Sequence, residues 1–194
     1  MKTKLLLPAI VTLSGLAHAS VLVTEANLDG LSESPPNASP GIGTATVTYD
    51  SVAHTLALDV TFSGLLGTTT ASHIHAATAV AGSGTAGVAT QTPFFTGFPI
   101  GVTAGSYLHT FDLTDTASFN SSFVTANGGT AASAEAALAA ALNDGKAYLN
   151  IHSSLFAGGE IRGFLAPVPE PGAYALIAGL GLCGFGVWRR VKRA

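Results

Sequence analysis

Two histidines separated by one residue are the part of this sequence whose spacing best suits chemistry. His73 and His75 lie in a run that alternates polar and apolar residues, which is typical of a β-strand. Side chains two residues apart on a strand share one face, about 6.5–7 Å apart along the backbone, so both imidazoles can bind one zinc or copper ion. A third ligand must then come from a neighbouring strand, and His152 is the best candidate, followed by His109. The alternative is that the three histidines hydrogen-bond one another, Asn150 or nearby backbone, with no cofactor.

Polar residues also converge in a predicted hairpin late in the sequence. Residues 148–152 and 158–165 both alternate polar and apolar residues, and the segment between them carries a Gly-Gly pair that is typical of a turn. The apolar positions are expected to face a core, and the polar positions are expected to share the opposite face. These polar residues are Tyr148, Asn150, His152, Glu160 and Arg162. Glu160 and Arg162 are two residues apart, so we expect a structural ion pair between them or bonds to loop carbonyls.

The rest of the sequence lacks the residue sets of the common hydrolytic mechanisms. It has no Gly-x-Ser-x-Gly elbow and no second carboxylate placed for glycosidase chemistry. The one cysteine, Cys183, lies in an apolar run near the C-terminus, so the preceding residues have neither a reactive thiol nor an intrachain disulfide. We therefore predict that the protein is not an enzyme and that its core alone holds the domain together.

Residues 1–19 have the parts of a secretory signal peptide. Two lysines precede an apolar run, and a small-x-small triplet ends the segment. Cleavage is predicted between Ala19 and Ser20. Residues 20–166 are then the exported domain.

The C-terminal segment, residues 167–194, has the composition of a membrane-spanning helix with a basic end. Residues 171–188 carry no charge, and a cluster of basic residues follows them. A helix of this length spans about 27 Å, which is barely enough for a bilayer core. The basic cluster is expected to stay in the cytoplasm, so the domain before it faces outward.

The charges are divided unevenly between the ends of the chain and its middle. Six of the eight Lys and Arg residues lie in the two terminal segments. The remainder, residues 20–166, keeps Lys146 and Arg162 against ten of the eleven acidic residues, a net charge of −8. Because such a charge repels phosphate backbones, we predict that nucleic acid is not a partner.

The spacing of turn residues predicts seven to nine short strands. In the clearest pair, residues 43–49 and 55–62, two alternating runs flank a short turn, as in an antiparallel hairpin. One soluble helix is predicted at Ala131–Asn143, because this stretch is rich in Ala and Leu and ends at Asn-Asp-Gly. We therefore predict an all-β protein, an antiparallel Greek-key-like sandwich or barrel with one short helix, in addition to the signal helix and the C-terminal membrane helix.

These motifs together resemble the CHRD domain family, which occurs in chordin and in many bacterial secreted proteins. The resemblance covers residues 21–165 and includes the run from His73 to His75 and the Gly-x-x-Glu-x-Pro-Pro spacing from Gly30 to Pro36. Its most specific part is the hairpin motif, which contains Tyr148, Asn150, Gly158, Gly159, Glu160, Arg162 and Gly163. The resemblance implies an immunoglobulin-like or dismutase-like sandwich with no established catalytic activity.

The C-terminal segment resembles a PEP-CTERM sorting signal. The triplet Pro169-Glu170-Pro171 precedes the apolar run, and Arg189-Arg190 follows it. This resemblance implies export in a Gram-negative bacterium and processing near the triplet by a membrane exosortase, which is then a partner. The mature protein would be released or attached in the cell envelope or exopolysaccharide matrix. A permanent single-span anchor uses the same residues and stays open as the alternative.

We predict a non-enzymatic exported module that interacts with exopolysaccharide or with proteins of the cell envelope. The competing prediction is a secreted copper- or zinc-binding protein, with or without redox activity, that uses His73, His75 and His152. The His-x-His pair resembles that of copper–zinc superoxide dismutases. The sequence lacks their zinc loop and disulfide, so dismutase activity is not expected.

Overall fold

Eight β-strands form one antiparallel sheet in residues 21–169, the part of the chain that the computed structural model describes. The strands are β1 (Val21–Asp29), β2 (Ile42–Asp50), β3 (Thr55–Ser63), β4 (Thr69–His75), β5 (Gly105–Asp112), β6 (Tyr148–Ser153), β7 (Ile161–Phe164) and β8 (Ala166–Pro167). Their hydrogen-bonded order is β4-β6-β7-β1-β2-β3-β5, and β8 pairs with β1. This sheet curls into a half-barrel, which confirms the prediction of an antiparallel all-β fold.

The alternation of apolar and polar residues decides which face of the sheet is inside. Strands β2 and β3 pair along their whole length, with Ala45 opposite Val60 and Val47 opposite Leu58. All four side chains are buried, because the two-residue period of a strand puts them on one face. The predicted late hairpin is β6 and β7, and its apolar residues belong to the same core.

Helix α1 (Ser121–Ala126) follows a short 3-10 turn, and neither was predicted from the sequence. The helix is only six residues long, which is too short to show helical periodicity. Its start is set by Asn120, whose side chain accepts a hydrogen bond from the Ser122 N–H. Phe123 is buried and holds the helix against the core.

Helix α2 (Ala131–Asn143) has the bounds that the sequence predicts. Thr130 caps its first turn, because its hydroxyl accepts from the Ser133 N–H while the Ser133 hydroxyl accepts from the Thr130 N–H. Leu138 and Leu142 are buried in the core and fix the helix on the sheet. Within residues 21–169 we find no helix of sufficient length and hydrophobicity to cross a bilayer.

A long connection, residues 76–104, joins the two outermost strands β4 and β5. It runs along β4, where the Ala89 N–H donates to the Ile74 carbonyl and the Phe95 N–H donates to the Ser72 carbonyl. Phe95 is completely buried. The connection therefore satisfies the backbone groups of a strand that would otherwise be an open edge.

Both predicted delivery segments lie outside the described residues. This applies to the signal peptide with its cleavage position at Ala19 and Ser20, and to most of the C-terminal segment, from residue 170 onward. The sorting residues outside the described part are Glu170, Pro171, Arg189 and Arg190. The boundaries of the segments and of the exported domain stay predictions.

Candidate metal-binding site

The face of β4, β6 and β7 that points away from the core is a second, polar interior. Across the three strands, His73 lies opposite Asn150, and Asn150 lies opposite Arg162. His75 lies opposite Tyr148 on the same face. All five side chains are buried, because three loops fold over them. These loops are residues 30–41, 76–104 and 154–160.

Three histidines meet in this polar interior. One ring nitrogen from each of His73, His75 and His152 lies within 4.8 Å of a ring nitrogen of the other two. The ring centroids of His73 and His152 are 5.2 Å apart, and those of His73 and His75 are 5.7 Å apart. The structure thus brings together the three residues that the sequence singles out first. His109 is not among them, because it lies on β5, where its ring contacts Phe111.

Each histidine uses one ring nitrogen to bond a backbone carbonyl of a covering loop. The bonds join His73 Nε2 to Pro93 O (2.6 Å), His75 Nδ1 to Ala86 O (3.0 Å) and His152 Nδ1 to Ala157 O (2.9 Å). A carbonyl only accepts, so each bonded nitrogen must carry the proton, and the other nitrogen carries a lone pair. The three lone-pair atoms, His73 Nδ1, His75 Nε2 and His152 Nε2, are buried without a hydrogen-bond partner.

The histidines are in the form that binds metal. Burial lowers the pKa of His75 to about 4, although the bond to Ala86 opposes this effect. Burial likewise lowers the pKa of His73 and of His152. All three imidazoles are therefore neutral near pH 7, and no proton has to leave before an ion binds.

Tyr148, the first residue of the hairpin motif, positions His75. The two rings stack at a centroid distance of 4.8 Å and an interplanar angle of 4°. The Tyr148 hydroxyl bonds to the Ala86 carbonyl (3.4 Å), the group that also accepts from His75. Such supporting contacts orient a ligand and fix its tautomer.

Arg162 donates hydrogen bonds to loop carbonyls, which is one of the two arrangements that the sequence predicted. Its carboxylate partner is Glu33 and not Glu160. Its Nε donates to the Ser32 carbonyl, and its Nη1 donates to the Gly84 carbonyl (3.3 Å). Arg162 Nε lies 3.8 Å from the Glu33 carboxylate, and both side chains are almost fully buried. Arg162 therefore ties two of the covering loops to the sheet.

Glu160 points away from Arg162 and anchors a different part of the chain. It accepts hydrogen bonds from the Leu66 N–H (2.5 Å), the Gly67 N–H (3.1 Å) and the Ser39 hydroxyl (2.6 Å). Strand β7 begins at residue 161, so Glu160 lies before the regular alternation that would place it beside Arg162. The predicted ion pair between the two is therefore wrong.

Gly159 allows the side chains of Glu33 and Asn150 to approach each other, because it has no side chain of its own. Its φ of +133° is one that residues with a side chain rarely adopt. A Cβ on this glycine would lie 2.5 Å from Glu33 Oε1 and from both atoms of the Asn150 amide. The sequence predicted no role for Glu33 beyond its place in the motif, although a carboxylate two residues before a pair of prolines is a signal that could have identified it.

Glu33 should make the stability of the domain depend on pH. Burial raises its pKa from 4.5 to about 7, against the opposing effect of Arg162. Between these two pH values the folded protein holds a proton on Glu33 that the unfolded chain releases. The stability that this proton contributes to the folded state is complete below pH 4.5 and is lost as the pH rises through 7. We expect the difference in unfolding free energy between Glu33→Gln and the parent protein to change by about 3 kcal/mol over this window.

Urea denaturation of both proteins at pH 4.5 and pH 8 measures this change. Other titrating groups are common to the two proteins and cancel in the comparison. An identical difference at both pH values would show that Glu33 titrates normally in the folded state.

The fold and the site together define an antiparallel β-domain with a cluster of three histidines under the loops that cover one face of the sheet. Residues 24–165 of the chain match the CHRD domain. The chain therefore belongs to the CHRD domain family, as its motifs predict. No curated protein and no solved structure shows a significant match to it.

Proposed function

We propose that this chain is an exported, non-enzymatic domain that holds one copper or zinc ion on His73, His75 and His152. The observation that carries the proposal is the set of three buried ring nitrogens, each with a lone pair and without a donor. Imidazole is a preferred ligand of both metals, and three imidazoles from neighbouring strands form a common ligand set.

The alternative without a cofactor holds that the histidines hydrogen-bond one another, Asn150 or nearby backbone, and each histidine does bond a backbone carbonyl. These bonds leave the second ring nitrogen of each histidine unpaired. A neutral imidazole has one N–H, and in all three residues that N–H is directed to a carbonyl. No proton is left to lie between the rings. A buried acceptor without a partner costs about 1–3 kcal/mol, so three of them together disfavour an empty site.

We propose a structural role for the ion. It would join β4 to β6 and, through the carbonyl bonds, hold the covering loops on the sheet. Buried ring nitrogens support this role, because a catalytic metal needs a position open to substrate. The only cysteine of the chain is Cys183, so the domain has no disulfide to do the same work.

Membership of the CHRD family supports the proposal that the domain acts outside the cytoplasm. The predicted signal peptide and C-terminal segment add a proposed route of export. We propose that the signal peptide is removed before Ser20 and that an exosortase processes the chain near Pro169. The domain then acts in the cell envelope or exopolysaccharide matrix, where its partners are exopolysaccharide or envelope proteins. Mass spectrometry of the mature protein tests this, since an intact N-terminus and an intact basic tail would contradict it.

Elemental analysis of the full-length protein, incubated separately with copper and zinc and then desalted, tests the metal site. We expect one ion per chain, and none in the double variant His73→Ala/His75→Ala. His109→Ala is the matched control, because this histidine lies on β5 outside the cluster and should leave the content unchanged. A parent protein that retains neither metal would overturn the proposal.

A further inference from the structure

We propose that the three-histidine site selects copper in its monovalent state, Cu(I), over zinc and other divalent ions. This inference rests on the proposed function, because it names the ion that the same three imidazoles hold. The charge of the ligands, their number and the groups around them all lead to it.

The ligands bring no negative charge. Each imidazole is neutral, and the cluster of potential ligands in residues 21–169 contains only the three histidines, with no carboxylate or thiolate. A divalent ion would therefore keep its full charge inside a buried site. The cost of burying an ion grows with the square of its charge, so a monovalent ion costs about one quarter as much.

The number of ligands also favours Cu(I). Zinc is almost always four-coordinate, and a three-histidine zinc site takes water or substrate as its fourth ligand. Here the free ring nitrogens are shielded from solvent. The nearby hydroxyl of Tyr148 and guanidinium of Arg162 are bonded to backbone carbonyls. Cu(I), a monovalent d¹⁰ ion, is stable with three nitrogen ligands. The three histidines of the folded site therefore complete its coordination shell.

A positive charge beside the site strengthens the preference. The Arg162 guanidinium lies 4.8 Å from the centroid of the Tyr148 ring, and that ring stacks on His75. One aromatic ring thus separates the guanidinium from a ligand, where it repels a divalent ion twice as strongly as a monovalent one. Glu33 offsets this repulsion only while it is ionised.

Paired competition titrations of the full-length protein test the inference. Cu(I) affinity is measured without oxygen, in ascorbate, against bicinchoninate, and Zn(II) affinity is measured against a chromophoric zinc chelator. We expect one Cu(I) per chain, bound about 10³-fold more tightly than Zn(II) or better. His75→Gln should lose Cu(I) binding, whereas His109→Ala on β5 should retain it.

The outcomes separate this inference from the proposed function. Zinc bound as tightly as Cu(I) would overturn the preference and leave the metal site in place. Binding of neither ion, or unchanged Cu(I) binding by His75→Gln, would overturn both. Circular dichroism checks the fold of each variant. If His75→Gln does not fold, His152→Gln gives the same comparison, because this side chain is less buried.

Discussion

Replacing Gly163 by alanine should destabilise the domain by about 3 kcal/mol, because an added Cβ has no room. The Cβ would overlap the backbone carbonyl of Asn27 on β1, and the Cβ of Ala26 would lie 3.1 Å away. A backbone atom cannot turn aside as a flexible side chain can. The overlap can be relieved only if β7 moves away from β1, and these two strands are neighbours in the interior of the sheet.

The matched control is Gly158→Ala in the preceding loop. A Cβ at Gly158 would meet nothing within 4 Å, so its effect should stay within about 0.5 kcal/mol. Urea denaturation of the two variants gives the comparison. Equal stability of Gly163→Ala and Gly158→Ala would contradict the close packing of β7 on β1.

Replacing Glu160 by alanine should cost about 4 kcal/mol, because three donors lose their acceptor at about 1–3 kcal/mol each. Glu160 is fully buried, and its carboxylate holds the Leu66 and Gly67 N–H groups and the Ser39 hydroxyl. These donors belong to two loops, so the substitution should loosen the loops together. Glu160→Gln retains the size of the side chain and one acceptor oxygen, and should cost about half as much.

The pH dependence of this effect is a second check. Burial raises the pKa of Glu160, but the nearby Ser153 hydroxyl and the three hydrogen bonds from Ser39, Leu66 and Gly67 together outweigh burial and lower the pKa overall. Because the pKa is lowered in the folded state, the ionised carboxylate stabilises the fold when the pH is above 4.5, the ordinary pKa of a glutamate. This stabilisation is lost as the pH falls below 4.5. The penalty of Glu160→Ala should therefore shrink in acid. A penalty that is the same at pH 7 and in acid would contradict the assignment.

The sheet and the histidine cluster were predictable because both depend on the two-residue period of a strand. Alternation identified β2, β3 and the late hairpin, and the His-x-His spacing put His73 and His75 on one face. The position of His152 followed from the hairpin, whose polar residues share a face. The bounds of helix α2 followed from its composition and its stop residues.

Features that depend on loop conformation were not predictable. The carbonyls that set the histidine tautomers belong to Ala86, Pro93 and Ala157, in loops without periodicity. The pairing of Arg162 with Glu33 joins residues that are far apart in the sequence. The prediction for Glu160 was wrong because a period applies only inside a strand, and this residue lies just before β7.

The most direct test of the central claim is a crystal structure of the metal-loaded protein with anomalous diffraction data at the metal edge. We expect one anomalous peak about 2.0–2.1 Å from His73 Nδ1, His75 Nε2 and His152 Nε2. A peak at any other position, or hydrogen bonds from water to these three nitrogens in a crystal grown with the metal, would contradict it.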